Sequence, residues 1–416
     1  MSEDRKKLPG VLLLLLSALG FLFGLGGALL TLVGLPLFGD SAGFAETLSV
    51  VSSGLLSLLI ALLNLPAFVI SIRYMRGKTI GVVAKSLFVP ASLSLILWGG
   101  ALALGYFAIE SARNPLLVAV LTVLAVIIPI WWLVEFSRRR LPRANATREW
   151  GALAVGLTAS PLIIMVVEIL LMVAVGVGIF FALSTQPEAI RQISEILRNI
   201  DNYRGSLEQL ETLIYDLAQN PMVAGGLFLV IGILAPFVEE FFKPMAIWFL
   251  LKRPLKDHEG FSLGLISGGA FALLESTGLV GQIAPDTWLS AVVLRAATGL
   301  LHIGLSGLVG YGMVKSWNRG AFVRSLFYLL AAGALHGAWN SLALLSGFAT
   351  SPMQTASAGF EPTVQSILPI IGMAAVFFAV LIIVLRIHRE LRSSLPETQP
   401  EESTQPDNEN FLQPQG

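Results

Sequence analysis

Two adjacent carboxylates and a lysine, Glu239, Glu240 and Lys243, lie inside an otherwise apolar run from Met222 to Leu251. An ionisable side chain at the centre of a bilayer costs about 2.5–3.5 kcal/mol even on a lenient insertion scale. Three within five residues therefore make a poor membrane helix unless partners wait elsewhere. Candidates stand in the middle of three further apolar runs: Glu275, His302 and His336, the last one turn before Asn340. Carboxylates and imidazoles of this kind can move protons, activate water or hold a metal ion.

The composition says what must carry them. The chain has 416 residues, 55% of them hydrophobic and only 13% charged, with a mean hydropathy of +0.77. These values describe a polytopic all-α membrane protein rather than a soluble one. The formal net charge is zero, so nothing implies a nucleic-acid partner. Cysteine is absent, which excludes disulfides, thiolate metal sites and a cysteine nucleophile. With only four histidines in the chain, two in mid-membrane positions carry information.

Ten apolar runs read as membrane spans: 8–39, 47–72, 87–109, 115–134, 151–183, 222–251, 261–283, 288–314, 325–348 and 364–385. The first is about twice the ~7–15 residues of a signal-peptide core and is read as a retained span. The fifth is long enough to tilt or to break near Pro161. Basic residues gather in every second connection, as at Arg73, Arg138–Arg140, Lys252 and Arg386. The positive-inside rule then places both termini on the cytoplasmic side, and the expected location is a bacterial-type cytoplasmic membrane. Four regions follow: 1–183, a five-span part of unknown role; 184–221, an amphipathic helical hairpin; 222–392, the span group that carries the polar residues; and 393–416, a tail rich in Pro, Gln and Glu expected to be disordered.

Counted from the cytoplasmic ends, Glu239 and Glu240 lie about eleven or twelve residues deep, Glu275 about fourteen, His302 about twelve and His336 about eleven. At ~1.5 Å per residue these depths agree to about one helical turn, so four helices bring ionisable groups to one level. Glu239 and Lys243 share a helix face, as do Phe271 and Glu275, and His336 and Asn340. Glycines at 264, 268, 269, 299, 304, 307, 333 and 337 permit close helix packing. Arg295 reads as a snorkelling residue or a partner for Glu275, and Glu168 in the fifth span reads as isolated. His258 and His388 read as surface, and Trp131, Trp132 and Trp288 as interface anchors.

In order, Glu239-Glu240-x-x-Lys243, Phe271-x-x-x-Glu275, His302 and His336-x-x-x-Asn340 resemble the PrsW family of intramembrane proteases. That family is related to the CAAX prenyl protease and bacteriocin-immunity superfamily, whose pattern is EExxxR, FxxxH, His and HxxxN. The resemblance covers roughly residues 222–348. It implies an endopeptidase acting on a membrane-associated protein, such as an anti-sigma-factor-like single-span protein. It also implies Glu239 as the base that activates water, Glu240 sharing its proton and Lys243 holding the residual charge. His302 would assist the water or the leaving amine, His336 with Asn340 would form an oxyanion hole, and Glu275 would orient a histidine or ligate a metal. Lys243 and Glu275 depart from the wider superfamily, which weakens the expectation of a prenylated substrate.

Zinc, with His302, His336 and Glu240 as ligands, is a second expectation. No HExxH helix is present to supply two ligands at fixed spacing, so a metal-independent glutamate mechanism is favoured. Two readings of other classes stand beside the protease. One is a proton-coupled transporter using the same residues as a relay, though the two halves show no inverted repeat. The other is a membrane binding or immunity protein without catalysis, for which eroded motif residues would be expected. For the Glu pair and Lys243, a stapling ion pair between helices is the bland alternative.

Overall fold

A computed structural model of the chain describes residues 3–38, 43–78, 85–111, 114–187, 220–251, 254–280, 285–349 and 364–395, with 190, 191 and 194. The hairpin expected at 184–221 and the tail expected from Ser393 lie almost wholly outside these residues. Among the described residues the protein is all helical, without a strand. The helices are α1 (Glu3–Phe38), α2 (Phe44–Met75), α3 (Phe88–Ser111), α4 (Pro115–Ser137), α5 (Ala146–Leu157), α6 (Ala159–Leu183), α7 (Pro221–Leu227), α8 (Ala235–Phe242), α9 (Met245–Leu250), α10 (Asp257–Val280), α11 (Trp288–Asn318), α12 (Phe322–Ala349) and α13 (Val364–Ser393).

Nine helical segments among the described residues are long and apolar enough to cross a membrane. They match nine of the ten expected spans. The seventh, α10, falls outside that set although it runs 24 residues. It is buried by protein, packed along α11 and against α4 and α5. The centre of the bundle is α11, 78% buried over its most apolar window, whereas the equivalent windows of α3 and α6 are 11% and 6% buried. Those two helices turn rows of Leu, Ile, Val and Phe outward, as a lipid-facing surface requires.

Glycine sets the spacing at the centre. A methyl group added at Gly264 or Gly268 of α10 would collide with the backbone carbonyls of Ser306 and His302 on α11. This close approach brings the faces of Glu275 and His302 together.

Two interruptions shape the site. The fifth span breaks at Thr158, between α5 and α6, three residues before Pro161. Pro161 falls in the first turn of α6, where a missing N–H costs nothing. The sixth span is interrupted twice: a π-helical stretch, Phe228–Leu234, precedes α8, and Lys243 and Pro244 separate α8 from α9. Pro236 cannot donate to the carbonyls one turn back. The Asn340 side chain on α12 supplies a donor there, Nδ2 to Ile231 O at 3.2 Å.

Three expectations for individual side chains change. Trp288 is fully buried rather than interfacial, its Nε1 donating to Thr122 Oγ1 at 2.8 Å, because α3 presents Gly105 to its ring. His388 is buried where α13 meets the turn after α4, with Nε2 2.7 Å from Arg139 O. His258 is likewise buried, at the start of α10.

Candidate active site

The break after α8 aims Lys243 inward. Its side chain is fully buried, and its ammonium lies 2.8 Å from Glu239 Oε2, 2.8 Å from Glu240 Oε1 and 2.7 Å from His302 Nδ1. The Phe271 ring covers it at 4.3 Å, a cation–π contact. An ammonium has only hydrogens to give, so it donates to Nδ1 and fixes the His302 tautomer. His302 Nε2–H then donates to Glu275 Oε2 at 2.6 Å. Arg295 grips the same carboxylate, Nη2 to Oε2 at 3.0 Å, and donates Nε to Ser276 Oγ at 3.2 Å. Arg295 is therefore a partner of Glu275 and is itself buried.

On the other side, His336 Nδ1 lies 3.0 Å from Glu240 Oε1. A carboxylate accepts, so Nδ1 carries the hydrogen and Nε2 keeps its lone pair. That Nε2 faces Glu239 Oε2 across 3.9 Å. The two imidazoles meet edge to face, with centroids 5.1 Å apart. Glu240 is completely enclosed, and its Oε2 has no partner. The Glu239 side chain keeps 13% of its surface accessible. The two neighbouring carboxylates thus differ: one is locked, the other is open.

The structure brings Glu239, Glu240, Lys243, Glu275, His302 and His336 into one connected hydrogen-bonded set. Asn340 stands one turn from His336 but spends one N–H on Ile231 O, and its second N–H makes no hydrogen bond among the described residues.

Glu239, His302 and His336 offer donor atoms all within 4.8 Å of one another, which is the grouping a zinc ion needs at the start. Glu240, expected as a ligand, is instead taken by Lys243 and His336. The donors are spaced for a metal but are not free for one. Both ring nitrogens of His302 are engaged, and the position beside Nδ1 is filled by the Lys243 ammonium. As arranged, a zinc ion coordinated by His302 Nδ1 would have to displace the Lys243 ammonium.

Glu168 was legible in the sequence only as an isolated acid. It lies half-buried on α6, and the charges that act on it are those of Glu239, Lys243 and Glu275. The signal that could have found it is the spacing Ser160, Ile164, Glu168 along the packed face of α6.

A bundle of membrane-length helices around a buried Glu–Glu–Lys–His–His set defines a polytopic membrane protein with an intramembrane polar site. Comparison with family models assigns residues 167–385 to the PrsW family of intramembrane metalloproteases. This is just over half of the chain, and the protein belongs to that family. Neither the curated proteins nor the solved structures contain a match. The match is wider than the motif region, taking in most of α6 and α13. It makes the protein an intramembrane protease whose substrate is a membrane protein.

Proposed function

We propose that the protein hydrolyses a peptide bond with a water molecule activated by Glu239, without a metal. The observation that carries this reading is the 3.9 Å separation of Glu239 Oε2 and His336 Nε2. A gap of that size is too long for a direct hydrogen bond and suits one bridging water. Glu239 is also the accessible member of the carboxylate pair.

In this reading Glu239 takes a proton as the water oxygen bonds to the scissile carbonyl carbon. The carbonyl oxygen takes up the negative charge and meets the second N–H of Asn340. The C–N bond then breaks, and the proton held by Glu239 passes to the leaving nitrogen. Glu240 fixes the His336 tautomer through Nδ1, so that Nε2 can hold the water. Lys243 compensates the two carboxylates, while Glu275 and Arg295 hold His302, which in turn holds Lys243. The substrate would be a single-span membrane protein of the anti-sigma-factor type.

The family description as a metalloprotease supports a second reading, with zinc on Glu239, His302 and His336. It requires the Lys243 ammonium to leave His302. The two readings separate on the full-length protein in lipid vesicles with a single-span reporter. Turnover should survive prolonged chelation, stoichiometric zinc should be absent, and Glu239→Gln should reduce kcat by about 10³-fold with unchanged melting. Activity lost on chelation and restored by zinc overturns the glutamate mechanism. Turnover by Glu239→Gln at the wild-type rate moves the base elsewhere.

A further inference from the structure

Glu168 has no place in the mechanism above, yet a carboxylate in the middle of a membrane helix is expensive to keep. Among the described residues it has no hydrogen-bond or ion-pair partner. Its position follows from two contacts that fix how α6 runs past the sixth span. At one end, Ser160 Oγ donates to Lys243 O at 3.4 Å. At the other, Ile179 and Val175 crowd Gly226 so closely that a methyl group there would collide with Ile179. The two helices are therefore antiparallel, with 160 opposite 243 and 175–179 opposite 226. Interpolating along this face, through the buried Ile164, sets Glu168 opposite Ala235 and Pro236. That is about one helical turn, roughly 5 Å, beyond Glu239 on the side of the 184–220 connection.

The charge inventory says what is missing at this point. Four carboxylates, Glu168, Glu239, Glu240 and Glu275, face two permanent cations, Lys243 and Arg295, and both cations are committed to the other three acids. The helix opposite Glu168 is also where the π-helical stretch ends, a distortion often found beside functional sites.

We propose that Glu168 is a specificity-determining residue that receives a positively charged substrate side chain, lysine or arginine, next to the scissile bond. The inference rests on the peptidase reading of the Glu239 site and names the substrate feature that site selects. A basic residue within a single-span substrate would find there a carboxyl group with no hydrogen-bond or ion-pair partner among the described residues, and would hold it in the ionised form. Like any intramembrane cation it needs a partner on the protein, so recognition and burial are the same event.

The test uses the full chain in vesicles with single-span reporters that differ at one central position: lysine, arginine, glutamine or glutamate. Wild type should cleave the lysine and arginine reporters at least about tenfold better in kcat/KM than the glutamine reporter. A tenfold ratio is what one charge-assisted hydrogen bond supplies. Glu168→Gln should erase that preference while leaving cleavage of the glutamine reporter intact, and Glu168→Lys should shift it to the glutamate reporter. A wild-type enzyme indifferent to the central residue, or a Glu168→Gln enzyme that keeps the basic preference, overturns the proposal while the peptidase reading stands.

If no reporter is cleaved, binding of the same reporters to Glu239→Gln protein decides by photocrosslinking. Preferential capture of the lysine form that Glu168→Gln abolishes supports the subsite and leaves the hydrolytic mechanism to fail by itself. Equal capture of all four forms removes the subsite.

Discussion

The protein holds two buried clusters of charge, and they are built differently. At the corner between α4 and α5, Arg138 binds Glu135 at 2.5 Å and Glu149 at 3.0 Å, and Arg143 pairs with Glu135 as well. Glu135 Oε2 also accepts from Leu87 N at 3.1 Å, and Arg148 reaches Glu259 at the start of α10 at 2.5 Å. Three arginines match three glutamates, and every link but the local Arg138–Glu135 pair joins one chain segment to another. In the intramembrane cluster a single lysine serves two glutamates and a histidine, one carboxylate is accessible, and His336 Nε2 is left without a hydrogen-bond partner close by. The first arrangement neutralises itself and ties helix ends together. The second leaves a base and a lone pair facing each other. Burial of charge alone does not separate scaffold from site, and neither does an unpartnered atom, since Arg138 Nε, Arg143 Nη1 and Glu149 Oε1 also lack a hydrogen-bond partner among the described residues; an accessible carboxylate facing an imidazole lone pair does.

Removing the cation from each cluster should sharpen the contrast. Lys243→Met should cost the largest activity, on the order of 10³-fold in kcat, as expected when preorganised charge is lost from a dry site. It should also cost about 3–5 kcal/mol of stability, because it leaves the fully enclosed Glu240 without its cation. Arg138→Met should cost stability alone. Glu135 keeps Arg143 and Glu149 retains it only at 3.9 Å, so the expected loss is at the lower end of the roughly 3–5 kcal/mol for breaking a buried pair, while turnover per folded molecule stays at the wild-type level. Paired measurements of melting and specific activity check both. If Arg138→Met loses turnover without losing stability, the corner belongs to the site and the distinction fails.

Most of the site was readable from the chain because membrane burial makes every ionisable residue conspicuous. Glu239, Glu240, Lys243, Glu275, His302 and His336 stood at matching depths, and depth is linear in sequence along a helix. Facing was readable for the same reason, as Phe271 against Lys243 and His302 illustrates. What was not readable depended on how helices approach one another. Glu168 seemed isolated because its neighbours lie on α8 and α10, far away in sequence. Arg295 admitted two readings until the pairing with Glu275 decided between them. The corner arginines registered as a topology signal; the spacing of Glu135 and Arg138 was local, but nothing local indicated that Glu149 would capture Arg138 as well. Trp288 obeyed the rule for interfacial aromatics in sequence and broke it in space, since Gly105 leaves room for the ring.

The smallest effect is expected at Glu275, where the line between scaffold and site is thinnest. Its carboxylate contacts His302 and Arg295 and neither Glu239 nor His336, so it acts through His302 as a positioning residue. Glu275→Gln keeps an oxygen to accept from His302 Nε2–H but discards the charge that Arg295 balances. Partners of this rank change rates by about 10–100-fold in comparable sites. The expected result is a fall of that size in kcat with KM for the reporter unchanged and the fold intact. Because a purely structural residue would move melting and leave kcat per folded molecule alone, the kcat-against-KM split is the deciding readout. A loss as deep as that of Glu239→Gln would put Glu275 in contact with the reacting atoms. Unchanged turnover would assign the whole Arg295–Glu275–His302 arm to the scaffold, alongside the corner.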